Sequence, residues 1–303
     1  MPIDLPRPAL SLAALETPAA PAAYLQVGPA PTALPGSVGA RPADTVLPPR
    51  RSPAARDRSP APVQSAKFSE CLAAAEADGD VAMDGAQAWL ATLAGPARAE
   101  AHECIGVIAS RSENWSDAEA AFLAARSDAP ADGAYRARMA LLAANAALAR
   151  DGGGAAALTA IDLARGDAGA NPAAALAGSI AVDRARALVM LARLPEAKVA
   201  LSEARIAVPA DPTAWLLSAT LSRRMGELGT AQAQIERAAA LLPIDPEIGL
   251  EAGVIAVLSG RDEAARRSWQ SVIAAAPGTP IAATAKGYID QLGPAPTTSV
   301  PSR

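Results

Sequence analysis

Small and large apolar positions recur between Trp215 and Pro277 in two copies of one pattern. Adding 34 to the numbers of Ala219, Gly226, Ala231, Ile235, Ala238 and Pro243 gives Gly253, Gly260, Ala265, Trp269, Val272 and Pro277. Offsets of 12, 4, 3 and 5 join Ala219, Ala231, Ile235, Ala238 and Pro243. The same offsets join Gly106, Ala118, Phe122, Ala125 and Pro130, and again Ala185, Ala197, Leu201, Ala204 and Pro209. Each copy reads as two amphipathic helices, because its apolar residues recur at three- and four-residue spacing. A closing proline cannot continue a helix and so ends each copy. Period-two alternation, the mark of a strand, is absent.

The rest of the chain is helical with looser register. Phe68, Cys71, Leu72 and Ala75 share one face of a helix over 66–77, which Asp78-Gly79-Asp80 ends, and a second helix runs from about Met83 to Leu93. Tyr135, Met139, Leu142 and Ala146 form one face of a long helix. Gly152-Gly153-Gly154 breaks it, and a helix over about 155–166 follows. Asn171-Pro172 offers a cap and a first-turn proline for a further helix reaching about Ala192. The predicted division is therefore a solenoid over 66–293. Its units are 66–98, 99–132, 133–177, 178–211, 212–245 and 246–279, and a helix over 280–292 caps the last apolar face. Residues 1–65 hold 14 of the 27 prolines and few large apolar groups, which predicts a disordered arm. Residues 294–303 read as a loose tail. Arg50, Arg51, Arg56 and Arg58 within the arm read as a solvated linker, with a docking tether as the alternative.

These repeats resemble the tetratricopeptide family, whose period is about 34 residues. The resemblance covers about residues 66–292 and is carried by the five-position pattern above. It implies an all-α right-handed solenoid of antiparallel helix pairs and a concave groove lined by the first helix of each pair. It also implies a role in binding rather than catalysis. Projected groove positions are Val182, Arg186 and Val189 in one unit, Leu216, Thr220, Arg223 and Arg224 in the next, and Leu250, Val254 and Val257 in the last. Val182, Leu216 and Leu250 stand where the family's carboxylate clamp has its first lysine, which argues against that subclass. The remaining surface suits an apolar segment carrying acidic groups. The alternative is burial of Val254, Val257 and Leu258 under the capping helix or a second copy.

Composition narrows the function classes. A net charge of −4 gives no basic face for nucleic acid. No run is long and apolar enough to span a membrane. Two cysteines and one histidine cannot make a four-ligand zinc site. His102-Glu103-Cys104 lacks the second histidine of a zinc-protease helix and any other histidine to activate the thiol. No catalytic, cofactor or metal residues are therefore assigned. Cys71 and Cys104 occupy near-equivalent positions of adjacent units and read as two buried thiols, with a disulfide the alternative in an exported chain. The absence of a usual signal segment points to the cytoplasm, or to the periplasm if the true start lies upstream. The functional expectation is a protein-interaction scaffold or adaptor with a protein or peptide partner, self-association remaining open. The alternative is a cell-envelope assembly or structural factor tethered by its N-terminal arm.

Overall fold

A computed structural model describes residues 65–292. The arm expected over 1–65, its arginine cluster and the tail expected over 294–303 lie outside these residues, except Ser65. That residue accepts the Phe68 amide hydrogen bond (3.1 Å) and so caps the first helix.

The described chain is a run of thirteen α-helices and no strand. They are α1 (Ala66–Ala77), α2 (Gly79–Ala91), α3 (Arg98–Arg111), α4 (Trp115–Asp128), α5 (Gly133–Leu148), α6 (Gly154–Ala168), α7 (Ala174–Met190), α8 (Leu194–Ala207), α9 (Pro212–Arg224), α10 (Leu228–Leu241), α11 (Pro246–Leu258), α12 (Asp262–Ala275) and α13 (Pro280–Leu292). Odd and even helices pair antiparallel, and each even helix packs on the next odd one. Consecutive odd helices also touch, as α5 on α7 and α9 on α11, whereas no two consecutive even helices pack as closely. The stack therefore curves toward the odd helices, and these line its concave face.

Side-chain size explains the pairing. A Cβ on Gly106 would come within 2.6 Å of the Phe122 ring, and one on Gly253 within 2.1 Å of Trp269. A glycine on the first helix thus accepts the large residue on the second, and both rings are fully buried. Ala118, Ala197, Ala231 and Ala265 have no exposed surface at the reciprocal crossing. The long helices α5, α6 and α7 build the largest apolar cluster around Met139, Ile161 and many alanines. At the far end α13 covers α11 and α12, with Tyr288 tilted against Trp269 at 5.1 Å.

Two helix starts differ from the pattern-based expectation. Helix α2 begins at Gly79 rather than near Met83, because Asp78 accepts hydrogen bonds from the Asp80 and Val81 amides (3.0 and 3.1 Å). The Asp-Gly-Asp segment is a cap between helices, not a break of several residues. Helix α7 begins at Ala174, after Ala173, with no side-chain cap, so Asn171-Pro172 lies before it rather than in its first turn. Asp211 and Asp245, each followed by proline, do cap α9 and α11.

Candidate functional site

Consecutive odd helices face one another across a seam on the concave side, and the residues that cross it differ from junction to junction. At the α9–α11 junction Arg223 Nε donates to Glu251 Oε1 at 2.6 Å, with both side chains almost wholly buried. Subtracting 34 from both numbers gives Val189 and Leu217, the matching positions at the α7–α9 junction. Two apolar side chains, both packed against the core cluster of this unit, stand there in place of the ion pair. Adding 34 gives Val257 and Ala285 at the α11–α13 junction, where both pack into the terminal cluster. At the α5–α7 junction Asp183 holds the seam position. It accepts from Asn145 Nδ2 (3.3 Å) and from Arg186 Nη1 (3.0 Å). At the α1–α3 junction the matching α3 position is Cys104.

Cys104 is disulfide-bonded to Cys71, with a Cα–Cα distance of 6.4 Å. This corrects the expectation of two buried thiols: the curvature brings α1 and α3 close enough for the sulfurs to bond. It also removes the thiol from the His102-Glu103-Cys104 run. His102 pairs instead with Asp128 (3.3 Å), while burial holds its pKa below the usual histidine value. Glu103 accepts from the Tyr135 hydroxyl at 2.8 Å; burial raises its pKa and pushes the phenol well above its ordinary range.

A cleft opens at the α7–α9 junction. Ala185, Arg186 and Val189 of α7, Leu217, Thr220, Leu221 and Arg224 of α9, and Leu201 of α8 enclose a cleft of ≈ 180 Å³. Its walls are almost entirely apolar, although Arg186 and Arg224 are among the lining residues. Of the ten projected groove residues, Arg186, Val189, Thr220 and Arg224 converge on this cleft. Leu216 and Val257 are half-buried on neighbouring helices, and Arg223 is held by Glu251. Val182, Leu250 and Val254 are buried within the stack and are not available on the groove surface. Val182 packs with Ala204 and Ala214, and the other two pack beneath Trp269 and Tyr288. Leu201 and Leu217 were not among the projected positions. Leu201 was legible only as the large core residue of its unit, and it becomes the floor because the two helices above it part.

No protein-family model and no curated protein sequence matches this chain. Solved structures do match. PilW, a widely conserved type IV pilus biogenesis factor, aligns at a TM-score of 0.58 and 18% identity over 72% of this chain and 96% of its own. Lower scores accompany MamA from Desulfovibrio magneticus (0.47, 16% identity, 58% and 94% covered) and YrrB (0.45, 18% identity, 62% and 91% covered). YrrB is described as a TPR protein with an unusual peptide-binding site. The PilW overlap extends across most of the stack, and the small–large pairs Ala185/Leu201, Ala219/Ile235 and Gly253/Trp269 recur every 34 residues. The fold is a tetratricopeptide solenoid. Within that solenoid the cleft lies between α7 and α9, away from both ends of the stack. No helix among the described residues is long and apolar enough to span a membrane.

Proposed function

We propose that the protein is an interaction scaffold that anchors a peptide or an exposed segment of another protein at the α7–α9 cleft. The supporting observation is the apolar cleft at this junction, where Val189 and Leu217 hold the positions that Arg223 and Glu251 hold at the next one. It is an apolar opening between two first helices of the stack. A binding solenoid needs a rigid wall and a place for an anchoring side chain; the sealed seams supply the first and the cleft the second. The volume is below the roughly 300–1,000 Å³ of small-molecule sites, so it suits one side chain rather than a cofactor.

The test is selection of binders from a displayed random-peptide library, followed by affinity measurement on two variants. Val189→Arg with Leu217→Glu rebuilds the α9–α11 ion pair inside the cleft, and Thr220→Glu places a charge at its mouth. Selected peptides should lose at least about tenfold in affinity on both variants, each checked for native helicity. Selection without enrichment, or peptides that bind both variants as well as wild type, would sink the reading.

The Cys71–Cys104 bridge favours one refinement. Structural disulfides persist in oxidising compartments, so the scaffold would work in the cell envelope rather than the cytoplasm. Thiol titration of protein denatured without reductant, taken from fractionated native cells, decides this: two free thiols in a cytoplasmic fraction exclude it.

A further inference from the structure

We infer that the chain carries its own occupant for the α7–α9 cleft: the aliphatic stretch Leu10–Leu15, in the segment before Ser65, fills the cleft until a partner displaces it. This inference rests on the peptide-anchor reading of the same cleft.

The root of that segment is held on the layer that carries the cleft. Ser65 donates from its backbone N–H (3.3 Å) and from its hydroxyl to the carboxylate of Glu100, in the first turn of α3. Two hydrogen bonds thus tie the start of α1 to the next odd helix rather than to α2. The residues before Ser65 therefore join the stack at the odd helices, which line the concave face and wall the cleft. The chemistry of the cleft selects the stretch. Its walls are almost entirely apolar, and Arg186 is already paired with Asp183 at 3.0 Å, so the apolar walls rather than the charges choose the occupant. Leu10, Leu12 and Leu15 put three leucines within six residues, with no charge among them, and no other stretch before Ser65 does so.

The length fits the span. Ser65 stands at the start of α1, and the cleft lies toward the far ends of α7 and α9. Three to four helix-to-helix steps of about 8–10 Å, plus part of a helix length, separate them by roughly 30–45 Å. Roughly 50 residues lie between Leu15 and Ser65, and a coil of that length has a root-mean-square reach of about 35–42 Å. A tether whose reach matches its span gives the highest effective concentration, of roughly millimolar order, so even a weak in-chain contact competes with a partner.

Two measurements on the full chain test this. In the first, Ala13 is replaced by the photoreactive amino acid p-benzoylphenylalanine, and cross-links are mapped by mass spectrometry. They should fall on α7, α8 or α9 of the same chain, and Val189→Arg with Leu217→Glu should cut their yield at least about fivefold. In the second, fluorescence anisotropy follows a labelled peptide with the sequence of residues 8–17. A full chain carrying Leu10→Asp, Leu12→Asp and Leu15→Asp should bind it at least about fivefold more tightly than wild type, whose own segment competes. These three changes precede Ser65 and spare the stack. Cross-links scattered along the stack, or equal peptide affinity for the two chains, overturn the inference. Library-selected peptides that still weaken on the cleft variants would then leave the anchor reading intact. A labelled peptide that binds neither chain also overturns the inference, and the anchor reading then stands or falls on the library selection. Cross-links between chains overturn it in favour of a second copy.

Discussion

Two adjacent junctions of this solenoid share a backbone register and differ in what crosses it. Between α9 and α11, Arg223 and Glu251 form a buried ion pair at 2.6 Å. Between α7 and α9 the matching pair is Val189 and Leu217, and a cleft of ≈ 180 Å³ remains. Charged groups taken out of water must meet closely to offset lost hydration, so the ion pair draws its helices together. Two aliphatic residues need only exclude water, which a partner's side chain can do as well as they can. A repeat protein can thus vary what crosses from one unit to the next without changing its fold.

Breaking the sealed junction gives the largest expected effect. Arg223→Ala leaves Glu251 buried without its cation and should destabilise the C-terminal repeats by about 3–5 kcal/mol. Arg223→Val with Leu for Glu251, which copies the α7–α9 junction, should be far milder, because it removes both charges. Urea unfolding of the two variants checks this. If the single change costs no more than the double, the ion pair does not hold the seam.

The covalent junction is next. The bridge joins residues 33 apart, and chain-entropy arguments give about 3–4 kcal/mol for a closed loop of that size. Cys71→Ala with Cys104→Ala should lose roughly this amount, with the loss concentrated in α1–α3, since each repeat contacts only its neighbours. Hydrogen exchange resolved along the chain would show it. Uniform loosening from α1 to α13 would mean that the bridge does not act locally.

Much of the stack was legible because stacking dictates side-chain size. Gly106 and Gly253 must be small where Phe122 and Trp269 cross, so the same sizes recur every turn of the solenoid. The seam was not legible, because it depends on which residues of different units face one another. The spacing is 28 between Arg223 and Glu251 but 38 between Asn145 and Asp183, since the longer helices α5 to α7 shift the register. Caps were ambiguous for a local reason. Asp78-Gly79-Asp80 reads equally as a break or as a cap, and only the Asp78 hydrogen bonds decide it. Val182, Leu250 and Val254 lie on the predicted helices, yet tight curvature and the α13 cover bury them.

The α5–α7 junction adds a pH dependence of its own. Burial raises the Asp183 pKa above its ordinary 3.8, with Arg186 and Asn145 opposing. A carboxyl raised in the folded state contributes stability that is full below its unfolded pKa and is lost as pH rises through the folded value. Wild type should therefore lose stability relative to Asp183→Asn from about pH 4 upward, by at most about 1.4 kcal/mol per pH unit. Chemical unfolding of both proteins between pH 4 and 8 measures this, and a constant difference would show that Asp183 titrates as it does when unfolded.

The smallest effect lies three residues past each seam position, in the turn to the second helix. That position is left-handed in four units: Glu113 at φ 58, Ala192 at φ 56, Gly226 at φ 77 and Gly260 at φ 73. Glycine adopts this conformation freely, whereas a Cβ costs roughly 1–2 kcal/mol. The turn after α9, at the sealed α9–α11 junction, carries Gly226, and the turn after α7, at the open one, carries Ala192. Ala192→Gly should remove the strain at the cost of a more flexible unfolded chain, a net gain of about 0.5–1 kcal/mol. If the gain comes with unchanged peptide affinity, the strain belongs to the turn alone. If affinity falls as stability rises, the strained turn helps to hold α7 away from α9, and the cleft depends on it as well as on Val189 and Leu217.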